Sequence, residues 1–197
     1  MIRPLYFLCI VLLFILTLPV QLLIGFLICL VTGLPIFYLQ ARIGLRGKRF
    51  TLIKFRTMEV GADVLQKKYQ HMNTASGPAF KIHDDPRFTP IGRFLSHTGL
   101  DELPQLYNVL RGEMALIGPR PLPVSEAKLL KPWMRKRQDV LPGIISPWIL
   151  DGYHKRTFTQ WMKSDIEYIR EKRFITDVRL ALRAAYFILR LLSKEVL

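Results

Sequence analysis

The chain has 197 residues, half of them hydrophobic, and carries 29 Lys and Arg against 15 Asp and Glu, a formal net charge of +14. That length allows one domain with a real core plus a membrane segment. The two cysteines, Cys9 and Cys29, both lie in apolar sequence, which excludes a disulfide framework and a Cys/His metal site. The basic excess suits nucleic acid, anionic lipid or phosphorylated substrates and does not choose among them.

Leu5 to Tyr38 is almost continuously apolar, longer than the roughly 20 residues a straight bilayer span needs. It is too long for a signal peptide and lacks a small-residue cleavage site. Thr17-Leu18-Pro19 interrupts it, and Gly33 and Pro35 end it. Two readings stay open. One is a tilted single span. The other is helix, break, helix, entering and leaving by the same face, with Pro19 causing the bend and Thr17 bonding a freed carbonyl. Among Lys and Arg, only Arg3 precedes Arg42, so the dense positive charge beyond puts the main domain on the cytoplasmic side.

Gln40 to Phe50 reads as a basic, Gly-containing turn, a positive collar on anionic lipid. Phe50 to Met58 alternates as a short strand with Lys54 and Arg56 on one face. Glu59 to Asn73 is polar and helix-prone, 75–85 is a loop, and His71 and His83 are surface histidines. Ile91 to Ser96 is a short helix. Leu100-Asp101-Glu102-Leu103-Pro104-Gln105-Leu106 then reads as a helix start. Thr98 is its N-cap, Asp101 completes a capping box, Pro104 sits in the first turn, and Gly112 is the stop. The two acids are either ordinary first-turn caps or a nucleophile or metal ligand for phosphate chemistry.

Met114 to Ile117 is a short buried strand. It runs into Gly118-Pro119-Arg120-Pro121, where an Arg fixed between prolines is a candidate phosphate clamp. Ser125 to Val140 is a very basic helix, either interfacial and amphipathic or packed with a solvated face. Leu141 to Tyr153 is irregular, Trp148 and Trp161 are candidates for headgroup depth, and Thr157 to Leu197 reads as two helices. There is no Walker loop, no GxGxxG and no Ser-His-Asp order.

Taken in order, these blocks resemble those of the bacterial sugar transferases, the monotopic phosphoglycosyl transferases. The resemblance rests on Gln40-Ala41-Arg42-Ile43-Gly44, Lys54-Phe55-Arg56-Thr57-Met58, Asp85-Pro86-Arg87 with Ile91-Gly92-Arg93-Phe94-Leu95, LDELPQL with Asn108, Val109, Leu110 and Gly112, Gly118-Pro119-Arg120-Pro121, and Pro142-Gly143-Ile144. It implies a mixed α/β, mostly helical fold. Residues 1–38 would form a re-entrant membrane helix broken near Pro19. Residues 39–197 would form a small catalytic domain with short strands and amphipathic interfacial helices.

The resemblance also implies the chemistry. Asp101 would be the nucleophile, Glu102 its catalytic partner, and Mg²⁺ the cofactor, with Asp101 as a metal ligand. Lys54 and Arg120 would face the diphosphate, and Arg56 and Arg93 would complete the substrate-binding set. The implied reaction moves a sugar-1-phosphate from a nucleotide diphosphate-sugar, UDP-linked, to polyprenyl phosphate. It would be the initiating step of a polysaccharide or glycan at the bacterial inner membrane, on its cytoplasmic face. Membrane lipid is an implied partner and nucleic acid is not; a homodimer stays open.

Several positions depart from the family's pattern. Ser96 stands for a basic residue, Gly99 for Ser, Leu18 for Ser, and Tyr6 for an acid. Ile145-Ser146, Ile149 and Gly152-Tyr153 replace Thr-Gly, Gln and Gly-Arg. These departures motivate a rival reading, a catalytically silent membrane-anchored partner or scaffold. A membrane-tethered nucleic-acid binder fits the charge but lacks any recognition motif.

Overall fold

Twenty-nine residues, Pro4–Thr32, form one helix, α1, in a computed structural model that describes residues 4–82, 84–147 and 156–196. At about 1.5 Å per residue it is about 43 Å long. By length and composition it is apolar enough to cross a membrane. Helical structure continues through Pro19, which lies inside α1, where two helices separated by a break were expected. A proline removes one ladder bond, and the turns on either side keep theirs. Thr17 Oγ1 donates to the carbonyls of Leu13 and Phe14 and accepts from Gln21 Nε2, which stiffens the turn before Pro19.

Both halves of α1 rest on the rest of the protein. Ile10 is buried with Leu52, Val109 and Met114. Ile24 and Ile28 are buried with Phe55 and Leu95. The Tyr6 hydroxyl accepts from the Leu116 N–H at 2.9 Å, so the residue standing where the family expects an acid still supplies an acceptor. Leu8, Leu16, Leu22, Phe26 and Leu30 face outward.

The chain leaves α1 at Gly33 and enters an antiparallel hairpin. Strand β1 (Phe37–Ile43) pairs with β2 (Arg49–Phe55) from Phe37 opposite Phe55 to Ile43 opposite Arg49. Arg46 and Gly47 take positive φ in the turn. The Gln40–Phe50 segment is therefore half strand rather than a collar. Its apolar start merges with the membrane stretch in the sequence, which hides β1. Strand β4 (Leu122–Pro123) pairs with the end of β1. A second sheet joins β3 (Ala115–Ile117) to β5 (Gly143–Ile145) in parallel. Gly143 permits that approach: a Cβ there would lie 2.0 Å from the Gly118 nitrogen.

The helices differ from expectation mainly in where they stop. Glu59–Asn73 supplies only α2 (Ala62–Leu65) and a 3₁₀ turn at Gln70–Met72. Helix α3 (Pro90–Thr98) is N-capped by Thr89, whose Oγ1 accepts from the Gly92 N–H at 3.0 Å. Thr98 is not an N-cap. It ends α3, and its Oγ1 donates to the Phe94 carbonyl at 2.7 Å. Gly99 follows with φ 75°, a conformation where Gly is favoured over Ser.

The expected single helix is thus two. A 3₁₀ turn, Leu100–Glu102, precedes α4 (Gln105–Leu110), and the carboxylates sit in the joint. The basic helix at 125–140 is also split, into α5 (Val124–Lys128) and a 3₁₀ stretch at Pro132–Asp139. Pro132 lacks the N–H to continue the first piece. Leu130 and Met134 go to the core while Leu129 and Trp133 face outward.

Two helices close the chain, α6 (Phe158–Glu171) and α7 (Phe174–Val196). Thr157 and Gln160 form the capping box of α6. Trp161 is not at an outer surface: it is buried with Leu122, Leu130, Met134, Phe158 and Met162. Trp148, Ile149, Tyr153 and His83 lie outside the described residues.

Candidate active site

The joint between α3 and α4 turns both acids inward, each toward its own cation. Lys54 Nζ lies 3.4 Å from Asp101 Oδ2. Arg120 Nη1 lies 2.9 Å from Glu102 Oε1. Asp101 is buried, and burial pushes its pKa up by more than Lys54 pulls it back. Burial acts the same way on Glu102, but Arg120 and Lys54 together outweigh it and hold Glu102 below the usual carboxylate range. Neighbouring acids with divergent affinities for protons are a common sign of a working site.

Lys54 is set by the strand that carries it, and that strand is clamped by one side chain. Asn108, fully buried on α4, accepts from the Ile53 N–H at 3.1 Å and donates to the Thr51 carbonyl at 2.8 Å. It also donates to Glu113 Oε2 at 2.7 Å. The two residues flanking Leu52 are thereby tied to the helix that follows the carboxylates, and Lys54 projects from a fixed frame.

Arg120 is held through its backbone. Three consecutive carbonyls of its loop accept hydrogen bonds from three different elements. The Gly143 N–H donates to Pro119 at 3.0 Å, Arg137 Nη2 to Arg120 at 2.6 Å, and Arg42 Nη1 to Pro121 at 2.9 Å. Arg137 is itself buried against Asp165, with Nε and Nη2 at 2.9 and 2.6 Å from Oδ2. Arg42 also bonds Gln40 Oε1, and burial with the nearby Arg120 charge pushes Arg42 down to about 10. A pre-set guanidinium of this kind can meet a phosphate without reorganising.

Four sequence-predicted residues, Lys54, Asp101, Glu102 and Arg120, come together. Arg56 and Arg93 do not join them. Arg56 donates to the carbonyls of Thr32 and Gly33 at 2.9 and 2.7 Å and to Thr32 Oγ1 at 2.6 Å. It caps the C-terminal end of α1, where a cation suits the helix dipole. Strand β2 ends at Phe55, so the two-residue alternation linking Arg56 to Lys54 stops one residue short. Arg93 pairs with Asp84 at 2.6 Å, both more than half exposed.

Three cations near the site escaped sequence reasoning. Arg42 was hidden by the unseen strand; the alternation in Phe37–Ile43 is the signal that could have found it. Arg137 pairs with an acid 28 residues away, and no local pattern announces that. Lys81 sits among the charges of Arg120, Glu102, Lys54 and Asp101, and burial followed by Arg120 pushes it down to about 7. Lys81 is exposed, so solvent screens much of that shift.

Among the described residues, no group of three or more His, Cys, Asp or Glu could hold a metal ion by itself. The acidic pair still fits Mg²⁺, which binds through one or two carboxylates and fills its shell with water and substrate phosphates. The cations engage Oδ2 of Asp101 and Oε1 of Glu102, one oxygen of each carboxylate.

The profile of the bacterial sugar transferases matches residues 2–190. The chain is 39% identical over 151 residues to the galactosyl transferase CpsE of Streptococcus agalactiae, covering 76% of this chain and 34% of that one. It is 33% identical over 168 residues to the exopolysaccharide production protein ExoY of Sinorhizobium fredii, covering 81% and 73%. It is 32% identical over 162 residues to the undecaprenyl-phosphate galactose phosphotransferase of Salmonella typhimurium, covering 80% and 34%. The chain thus spans about a third of the length of two of these relatives and most of the length of ExoY.

Proposed function

Because the chain belongs to the bacterial sugar transferase family, we propose that it moves a sugar-1-phosphate from a UDP-linked sugar to polyprenyl phosphate through a covalent intermediate on Asp101. The observation that carries this reading is the pairing of a buried Asp101 with Lys54, beside a Glu102 bound to a backbone-anchored Arg120. A carboxylate and an anionic diphosphate repel each other, so the nucleophile must sit among cations.

Asp101 attacks the sugar-bearing phosphorus, the bond from that phosphorus to the bridging oxygen breaks, and UMP leaves with that oxygen. An acyl phosphate carrying the sugar remains. A phosphate oxygen of the polyprenyl phosphate then attacks the same phosphorus, and Asp101 is released as a carboxylate. Arg120 and Lys54 neutralise the phosphoryl oxygens in both steps. Glu102 keeps Arg120 aimed. Asp101, with Glu102 beside it, is the side chain that would hold Mg²⁺, which when bound supplies further neutralisation of the diphosphate.

The membrane reading follows from α1. A helix perpendicular to the membrane would leave the domain after one contact, whereas this one packs against it at Tyr6 and Ile10 and again at Ile24 and Ile28. We therefore read α1 as immersed from the cytoplasmic side of the bacterial inner membrane, its outward apolar face in lipid, with its N-terminus not carried across.

The test is UMP release from a panel of UDP-sugars by purified full-length protein with Mg²⁺ and polyprenyl phosphate. Asp101→Asn should abolish release and leave the unfolding midpoint within a few degrees of the parent. Undiminished release by that variant rules out the covalent route.

A further inference from the structure

Helix α4 buries two carboxamides, and the fold uses only one of them. Asn108 is bonded on both sides of its amide, to Ile53, Thr51 and Glu113. Gln105, three residues earlier, is 2% exposed, yet among the described residues its carboxamide makes no hydrogen bond. Buried amides without partners are rare, because a polar group that loses water and gains no bond is costly. Packing does not account for it either. Met would fill a similar volume without that cost.

The backbone brings Gln105 beside the acids. Leu103 and Pro104 keep right-handed helical angles, φ −53°, ψ −39° and φ −62°, ψ −18°. The residue four after Asp101 therefore comes out on the same side of the chain, one turn on. There it lines a narrow crevice with Arg42, Leu52, Lys54, Arg120 and Pro121. Three of these lining side chains are cations, and neither acid is among them. Lys54 and Arg120 also reach Asp101 and Glu102, at 3.4 and 2.9 Å, so the crevice borders the acid pair through two shared cations.

We propose that Gln105 is a binding residue for a phosphoryl group of substrate, donating its amide N–H to an oxygen drawn in by Lys54 and Arg120. The inference rests on the transferase reading above and deepens it. Cations lining a recess select an anion. The carboxamide adds a neutral donor of fixed direction that does not repel the cations around it. A polyanion competes with the two carboxylates for Lys54 and Arg120, and as these side chains turn to it the crevice opens to Gln105. The phosphoryl group comes from the diphosphate of the donor or from the phosphate of the lipid acceptor, which present the same kind of oxygen.

The experiment uses the full chain in detergent micelles. Inorganic pyrophosphate is the binding probe, and KM values for UDP-sugar and for polyprenyl phosphate are measured separately. Gln105→Met keeps the volume and removes the donor. It should weaken pyrophosphate binding, or raise the KM for polyprenyl phosphate, about tenfold. Its unfolding midpoint should equal or exceed that of the parent, because the fold loses no hydrogen bond and sheds a buried unpaired amide. Gln105→Glu keeps the shape and an acceptor, loses the donor and adds a negative charge, so it should bind at least as weakly as Gln105→Met. A loss seen with pyrophosphate and the donor KM assigns the group to the diphosphate; a rise confined to the acceptor KM assigns it to the lipid phosphate.

Parent-like pyrophosphate binding together with both parent-like KM values in Gln105→Met overturns the proposal. So does a Gln105→Glu that matches the parent, since donation would then be unnecessary. A Gln105→Met that unfolds clearly earlier than the parent also overturns it, because the carboxamide would then serve the fold, directly or through a buried water. If the parent binds no pyrophosphate and releases no UMP, the transferase reading falls and this one with it. If Asp101→Asn abolishes UMP release while Gln105→Met behaves as the parent, only the role of Gln105 is lost.

Discussion

Replacing Asp165 with Leu separates what holds the protein together from what aims its arginine. Asp165 and the Arg137 side chain are almost completely shielded from solvent, and the guanidinium bonds the carboxylate through two nitrogens. Removing the acid leaves a charged group in the interior with no counter-ion, a change that costs about 3–5 kcal/mol. For a chain of this size each kcal/mol moves the unfolding midpoint by about 2–4 °C, so Asp165→Leu should unfold on the order of 10 °C earlier in micelles, followed by tryptophan fluorescence. The double variant Arg137→Met/Asp165→Leu has no stranded charge and should regain most of that loss. It should not regain activity, because the Arg120 carbonyl has lost its donor from Arg137. UMP release should remain about tenfold below the parent, the equivalent of one charge-assisted hydrogen bond. A single variant that unfolds within a degree of the parent refutes the argument, as does a double variant with full activity.

Two further outcomes follow from the same geometry. Arg56→Met removes the donors to Thr32 and Gly33, so limited proteolysis should cut between residues 32 and 37 much faster than in the parent; equal cleavage would mean that α1 is anchored by its apolar contacts alone. Burial and the Arg120 charge push native Lys81 down from the unfolded value of about 10.4 toward about 7, a shift that solvent partly screens because the residue is exposed. The unfolded chain therefore binds more protons in that window, and stability rises with pH across it. The stability of the parent relative to Lys81→Met should grow between about pH 7 and 10, measured by denaturant unfolding; a flat or falling difference contradicts the placement of Lys81 among cations.

What could be read from the sequence was the local chemistry. The adjacent acids, the Arg between prolines and the alternation around Lys54 each carry their pattern within a few residues, and these four side chains do meet. The ends of elements were harder. Thr98 looks like an N-cap because Asp101 lies three residues on, yet the glycine between them stops one helix before the next begins. Pro19 reads as a break because it lacks an N–H and crowds the preceding turn, yet helical structure continues through it. The β1 strand was masked because its apolar start runs straight on from the apolar helix, and only the alternation from Tyr38 through Gln40 to Arg42 marks it. Arg137 and the role of Asn108 depend on contacts across 28 and 55 residues respectively, between Arg137 and Asp165 and between Asn108 and Ile53. Such pairings exist only once the sheets and helices have assembled.

The two-ended seating of α1 also bears on where the chemistry happens. An enzyme tethered by a flexible stalk samples many heights above the bilayer, and a lipid-borne phosphate must wait for it to descend. Here the greasy helix and the acid-bearing joint belong to one packed body, through Ile28, Phe55 and Leu95 on one side and Ile10 and Val109 on the other. On the proposed reading, the altitude of Asp101 is then a built-in dimension of the molecule, unaffected by the length of the acceptor's lipid tail.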